Sequence, residues 1–151
     1  MKQLLIVFHS QSGNTRALAE AVASGAKAEP SVHVNLKPAF EADVGDLLGA
    51  DGLIIGTPEN LGYMSGAIKD FFDRTYYAAL DKVAGKPYAV FISAGNDGSG
   101  AAREISRIAN GYRFKAVAEA LVVKGKVDAD ALRRCEELGE TFATALAVGI
   151  F

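Results

Sequence analysis

The chain has 151 residues, half of them hydrophobic and 23% charged, with 16 basic and 18 acidic residues and a formal net charge of -2, which fits one globular domain, residues 1–151, with a full core. The balanced charge offers no basic stripe for nucleic acid, the lone Cys135 excludes an internal disulfide, and Cys135, His9 and His33 lack metal-ligand spacing. No apolar run reaches the roughly 18 residues of a membrane span, so no membrane span is expected and a cytoplasmic protein is the default.

The first predicted element is a buried strand, the apolar run QLLIVF at residues 3–8. A small polar loop, His9 to Asn14, leads directly into a helix from Thr15, where Ala17, Leu18, Ala21, Val22 and Gly25 share one face. VHVNL (32–36) is a weaker second strand after Pro30, and DGLIIG (51–56) a third; between them, Lys37 to Ala50 has room for a short helix only. TPENLGYM (57–64) is a loop, followed by a helix capped by Ser65 with the stripe Ile68, Phe71, Phe72, Thr75 and Tyr76. YAVFIS (88–93) is a fourth strand. A glycine-rich loop follows, then a helix with Ala101, Ile105, Ile108 and Ala109 inward, closed by Asn110-Gly111. VAEALVV (117–123) is a fifth strand, and Asp128 caps a last helix whose inner face is Leu132, Cys135, Leu138, Phe142 and Leu146.

Strands alternating with helices over the whole length predict an α/β domain with a parallel sheet covered on both faces. In such sheets ligands bind beyond the carboxyl ends of the strands. The loop Ser10, Gln11, Ser12, Gly13, Asn14, Thr15 lies there, at the mouth of the first helix. Orphan N–H groups and the helix dipole make that place an anion site. The hydroxyls of Ser10, Ser12 and Thr15 and the Asn14 amide add donors, and Gly13 allows close backbone approach. The loop holds no lysine, so neutral donors would hold the anion, and the Gly-Lys-Ser/Thr of a nucleoside-triphosphate loop is absent. A monophosphate fits better than a triphosphate.

Three stretches carry a family resemblance. SQSGNT (10–15) resembles the phosphate loop of flavodoxins. GTPENLGYMSGAIKDFFDR (56–74) is similar to the second flavin loop and following helix of the flavodoxin-like NAD(P)H:quinone oxidoreductases and NADPH-dependent FMN reductases. GKPYAVFISAGNDGSG (85–100) is similar to their fourth strand and third flavin loop. The resemblance implies a flavodoxin-like, doubly wound, three-layered fold with five parallel strands in order 2-1-3-4-5 and FMN at the switch point between strands one and three. It also implies that Thr57 and Pro58 begin a loop bordering the flavin ring, where backbone groups of Glu59, Asn60, Leu61 and Gly62 meet it. Relatives often place an aromatic or arginine within this loop, and here Asn60 and Leu61 stand in that region, with Tyr63 later. Ser93, Ala94, Gly95, Asn96, Asp97 and Gly98 would wrap the pyrimidine edge through their amides. Asp97 has two readings, a carboxylate near the flavin or the cap of a turn. Gly98-Ser99-Gly100 is no dinucleotide fingerprint, since Arg103 holds the third glycine position.

His9 is read either as a contact of this site or as a packing residue, and Cys135 as a buried, inert thiol. Arg103 and Arg107 read as a solvated face, with a pyridine-nucleotide phosphate as the alternative. Tyr76 and Tyr77 read as core and rim residues, with a homo-oligomer contact as the alternative. The resemblance implies an enzyme in which FMN accepts a hydride from NADH or NADPH and a quinone-like small molecule accepts the electrons, with no essential catalytic side chain. The alternatives are a flavodoxin carrying electrons between redox proteins, against which the net charge of -2 argues, and a flavin-binding protein without turnover.

Overall fold

The computed structural model describes residues 1–151. Its elements run β1 (Lys2–Phe8), α1 (Asn14–Ala26), β2 (Val32–Pro38), α2 (Val44–Gly49), β3 (Gly52–Pro58), α3 (Gly66–Ala79), β4 (Pro87–Ala94), α4 (Ser99–Tyr112), β5 (Lys115–Ala116), β6 (Leu121–Lys124) and α5 (Ala129–Val148). All strands pair in parallel in the order β2-β1-β3-β4-β5, with β6 also on β4. This is the flavodoxin-like α/β arrangement expected from the sequence. Residues 4–8 are completely buried because both faces of the sheet are covered. Their side chains alternate: Leu5 and Val7 join the apolar cluster that includes Ile68, Phe71, Phe72 and Ile105 of α3 and α4. Leu4, Ile6 and Phe8 join Leu18 and Val22 of α1 and Phe142 of α5 on the other face.

The fifth strand differs from its expected form. Val117–Val123 is not one strand: β5 ends at Ala116 and pairing resumes at Leu121. The register shows why. β4 advances three residues, from Tyr88 opposite Ala116 to Phe91 opposite Leu121, while its partner advances five. The surplus loops out at exposed Ala118, Glu119 and Ala120.

Three boundaries also move. β3 continues through Thr57 and Pro58, because both pair with β4 at Ile92 and Ser93. β4 continues through Ala94, held opposite Lys124. Asn110-Gly111 does not close α4. The helix runs on to Tyr112, whose buried hydroxyl donates to the Phe72 carbonyl at 2.6 Å and bonds the Thr75 hydroxyl at 2.8 Å. The left-handed cap therefore falls on Arg113, at φ +62°, a conformation that glycine takes more easily.

Local chemistry sets the other ends. Ser65 accepts from the Ile68 amide and Asp128 from the Ala131 amide, as expected caps of α3 and α5. The short α2 is opened by a reciprocal Asp43–Asp46 capping box and closed by Lys86, whose ammonium donates to the Leu47 and Ala50 carbonyls. On the α1–α5 side the helices touch backbone to backbone at two glycines. A Cβ on Gly25 would lie 1.9 Å from the Glu136 carbonyl oxygen, and one on Gly139 would lie 1.9 Å from that of Val22.

Candidate functional site

The loop after β1 is shaped by its own serine and glycine. The Ser10 hydroxyl oxygen accepts the Gly13 amide at 3.0 Å, and Gly13 turns at φ +102° into α1. Accepting with its oxygen leaves the Ser10 hydroxyl proton free to donate outward. As a glycine, Gly13 brings no side-chain cap. The amides of Ser12, Asn14, Thr15 and Arg16 donate to no backbone acceptor. α2, α3 and α5 are capped by Asp43, Ser65 and Asp128. The first turn of α4 is occupied by two carboxylates: Asp97 accepts from Ser99 at 3.0 Å and Glu59 from Ala101 at 3.1 Å. Thus α1 is the one helix whose leading amides meet no acidic or hydroxyl cap, which leaves its positive dipole end available to an anion.

The second loop is more closed than expected. Thr57 is fully buried, and its hydroxyl donates to the Pro58 carbonyl at 2.8 Å while accepting the Ser65 amide at 2.9 Å. The Glu59 amide donates to the Ser93 carbonyl at 2.9 Å. Asn60 and Tyr63 exchange both backbone bonds across a two-residue turn. At its tip Leu61 and Gly62 take φ of +53° and +73°, the mirror-image turn that tight hairpins favour. Glu59 and Asn60 therefore have no backbone amide to give a ligand, and the Leu61 and Gly62 backbone amides are the ones left outward. Leu61 is fully exposed despite its apolar side chain and its left-handed backbone.

The second loop is also tied to the third. Besides the two Glu59 bonds, the Gly62 carbonyl oxygen sits where a Cβ on Gly100 would be, 1.9 Å away. Gly100 has to be small because the neighbouring loop packs on it. In the third loop Ser93 and Ala94 belong to β4, and Gly95 to Gly98 form the turn. Asp97 takes the turn-capping role: its Oδ1 accepts from both the amide and the hydroxyl of Ser99. These bonds from Ser99 hold its carboxyl below the usual carboxylate range.

A cavity of ≈ 640 Å³ opens where the loops meet. Of the eighteen expected site residues it brings together Ser12 and Asn14, Pro58, and Ser93, Ala94 and Gly95. Ser10, Gln11, Gly13 and Thr15 shape or flank the first loop without lining the cavity, as do Thr57, Glu59, Asn60, Leu61 and Gly62 in the second and Asn96, Asp97 and Gly98 in the third. Thr15 is only 2% exposed. The remaining wall is Gly125, Lys126 and Val127, which sequence reasoning missed. They follow β6, so the strand-end rule applied to the fifth strand could have found them. With them comes a lysine that the first loop lacks.

His9, at the end of β1, meets exposed Phe40 edge-on, with ring centroids 5.9 Å apart, so packing describes it. The connection that carries Phe40 is held by Arg74 of the KDFFDR stretch, whose guanidinium donates to the Ala39 and Ala42 carbonyls at 2.8 and 2.9 Å and to Asp70. Arg103 and Arg107 are exposed, each 3.7 Å from Glu104. Tyr77 is exposed and Tyr76 half-buried. Cys135 is fully buried, and burial pushes its thiol up to about 11. We expect a maleimide at pH 8 to leave native protein unlabelled and to label it stoichiometrically in guanidinium. Rapid native labelling, read by mass spectrometry, would contradict the burial.

The donors present suit a phosphate-bearing flavin: free first-turn amides, hydroxyl and amide side chains, one lysine and no carboxylate on the cavity wall. The family model for NADPH-dependent FMN reductase matches residues 27–127, a span that holds the second and third loops and begins after the first. Over 100 residues the chain is 38% identical to a protein named flavodoxin from Aquifex aeolicus, covering 66% of this chain and 54% of that one. Over 121 residues it is 30% identical to an NAD(P)H dehydrogenase (quinone) from Acidithiobacillus ferrooxidans, covering 66% and 60%. The chain thus spans less than two thirds of these relatives' length. Among solved structures, an archaeal flavodoxin superposes with a TM-score of 0.82 at 25% identity, over 95% of this chain and 98% of that one. The flavodiiron core from Synechocystis superposes with a TM-score of 0.83 at 26% identity, over 98% of this chain and 36% of that one.

Proposed function

The chain belongs to the NADPH-dependent FMN reductase family within the flavodoxin-like fold, and from that membership we propose that it binds FMN and oxidises NADH or NADPH, with a quinone or similar small molecule as acceptor. The observation that carries the FMN assignment is the uncapped first turn of α1 opening beside the ≈ 640 Å³ cavity. Ser10, Ser12, Asn14 and the free amides up to Arg16 would hold the terminal phosphate. The Leu61 and Gly62 amides and those of Gly95 to Gly98 would face the ring system. Bound flavin supplies two-electron exchange between a nicotinamide and an acceptor. The protein supplies orientation. The Glu59 bonds and the Gly62–Gly100 contact lock the second and third loops into one rigid rim. Leu61 leaves a smaller surface beside that rim than an aromatic would, which leaves room for a stacked nicotinamide.

A second reading, a flavodoxin that carries electrons between redox proteins, is favoured by the likeness to the Aquifex aeolicus protein. Against it, the net charge of -2 offers little electrostatic steering toward partners. Titration with FMN and FAD, followed by NADH and NADPH oxidation with and without a quinone, tests both. We expect FMN to bind more tightly than FAD, since a phosphate enclosed by the first loop leaves no path for an adenylyl extension, and we expect FMN-dependent oxidation that the quinone accelerates. Equal or tighter FAD binding would sink the FMN assignment. FMN binding without turnover from either nucleotide would leave the carrier reading standing.

A further inference from the structure

We propose that Lys126 is the counter-charge for a phosphate monoester in this cavity, and that the turn after β6, together with the loop after β1, makes the site select FMN over riboflavin. The inference rests on the flavin reading above and deepens it. Lys126 is the one charged residue on the cavity wall, which it shares with Ser12 and Asn14. None of the chain's ion pairs uses it. The carboxylates of the neighbouring loops are engaged elsewhere, Glu59 on the Ala101 amide and Asp97 on Ser99. The turn that carries the lysine is anchored on both sides. Lys124 is in register with Ala94, the Gly125 amide donates to the Ala94 carbonyl at 2.8 Å with φ +67°, and Asp128 caps α5.

The electrostatics call for such a group. A phosphate monoester carries roughly -1.5 to -2 charges at pH 7. The end of α1 offers the equivalent of about half a positive charge, and the hydroxyls and amide of the first loop are neutral. The exposed Lys126 ammonium on the cavity wall supplies a full charge, and its attraction to a phosphate seated in the cavity exceeds the value in bulk solvent to the extent that the bound phosphate loses water. Phosphate monoesters reach this cavity from two sources, the flavin's own terminus and the 2′-phosphate of NADPH. Lys126 lines the same cavity as Ser12 and Asn14 of the loop that would hold the flavin phosphate, and this shared wall assigns it to the flavin.

The test titrates FMN and riboflavin into wild type, Lys126→Gln, Lys126→Arg and the distant charge control Lys27→Gln, across a salt series, by flavin fluorescence. KM values for NADPH and NADH are measured beside it. Lys126→Gln should bind FMN about tenfold more weakly, a change of about 1.4 kcal/mol. Its riboflavin affinity should be unchanged and its FMN affinity less salt-dependent. Lys126→Arg and Lys27→Gln should resemble wild type. Equal losses for both flavins, an unchanged FMN affinity, or an equal loss in Lys27→Gln would overturn the proposal. So would a KM increase confined to NADPH, which would assign the lysine to the nucleotide. If wild type binds no FMN at all, the flavin reading fails; if wild type binds FMN and Lys126→Gln binds it equally, only this inference fails.

Discussion

Gly139→Ala is expected to melt about 4–8 °C below wild type and to bind FMN more weakly. The added Cβ would lie 1.9 Å from the Val22 carbonyl oxygen and 2.9 Å from the Ala26 amide nitrogen. Both neighbours are backbone, so no rotamer change relieves the overlap, and α1 must move away from α5. Overpacking of this kind costs typically 1–3 kcal/mol and can exceed that. Here the obstacle is rigid, so the upper end applies. Better helix propensity returns about 1 kcal/mol, which leaves a net loss of about 2 kcal/mol. For a chain of this size each kcal/mol lowers the melting temperature by roughly 2–4 °C. Gly25→Ala should behave alike through the Glu136 carbonyl, and the pair should be less than additive because both open one interface. The ligand effect follows from connectivity, since α1 begins at the loop that would hold the phosphate. Gly66→Ala, whose Cβ meets nothing within 4 Å, is the control and should melt no lower than wild type. An unchanged melting temperature in Gly139→Ala would contradict the helix contact.

The second large effect is on ligand affinity without loss of stability. Replacing Ser12 and Asn14 together by alanine should weaken FMN binding about a hundredfold. Hydrogen bonds to a charged group are worth about 1.5–3 kcal/mol each, and two at the lower end give that factor. Both side chains are exposed and line the cavity, so the unliganded variant should melt like wild type. Thr15 stays in place because it is packed, and truncating it would mix a stability change into the readout. Riboflavin affinity should change little. Fluorescence titration of both flavins, beside thermal melts without ligand, separates the outcomes. If FMN affinity stays at the wild-type value, the phosphate does not lie on this loop.

Much of the fold was legible because its signals are local. A strand buried on both faces must be a continuous apolar run, so β1 and the centres of β3 and β4 could be read directly from QLLIVF, LIIG and YAVFIS. Ser65 and Asp128 could be named as caps because a cap bonds an amide three residues on. The first loop could be placed at the ligand edge because a strand end, a glycine and a helix start lie within eight residues. The family motifs lie on the loops that the strand ends bring together.

What the tertiary structure alone decided depends on partners far away in the chain. Thr57 and Ala94 are strand residues because each has an opposite number on a neighbouring strand. The fifth strand breaks because five residues face three on β4, a mismatch no single segment displays. α4 outlasts its Asn-Gly signal because Tyr112 finds hydroxyl and carbonyl partners on α3. Glu59 lies on the expected flavin loop, but its carboxylate and amide are taken by the Ala101 amide and the Ser93 carbonyl. Lys126 carries no motif at all; pairing of β6 with β4 brings its turn beside Ser12 and Asn14. Short-range hydrogen bonds and hydrophobic period are written in neighbouring residues and could be read from them. Register, close helix approach and the charge on a cavity wall arise only when distant segments are packed together.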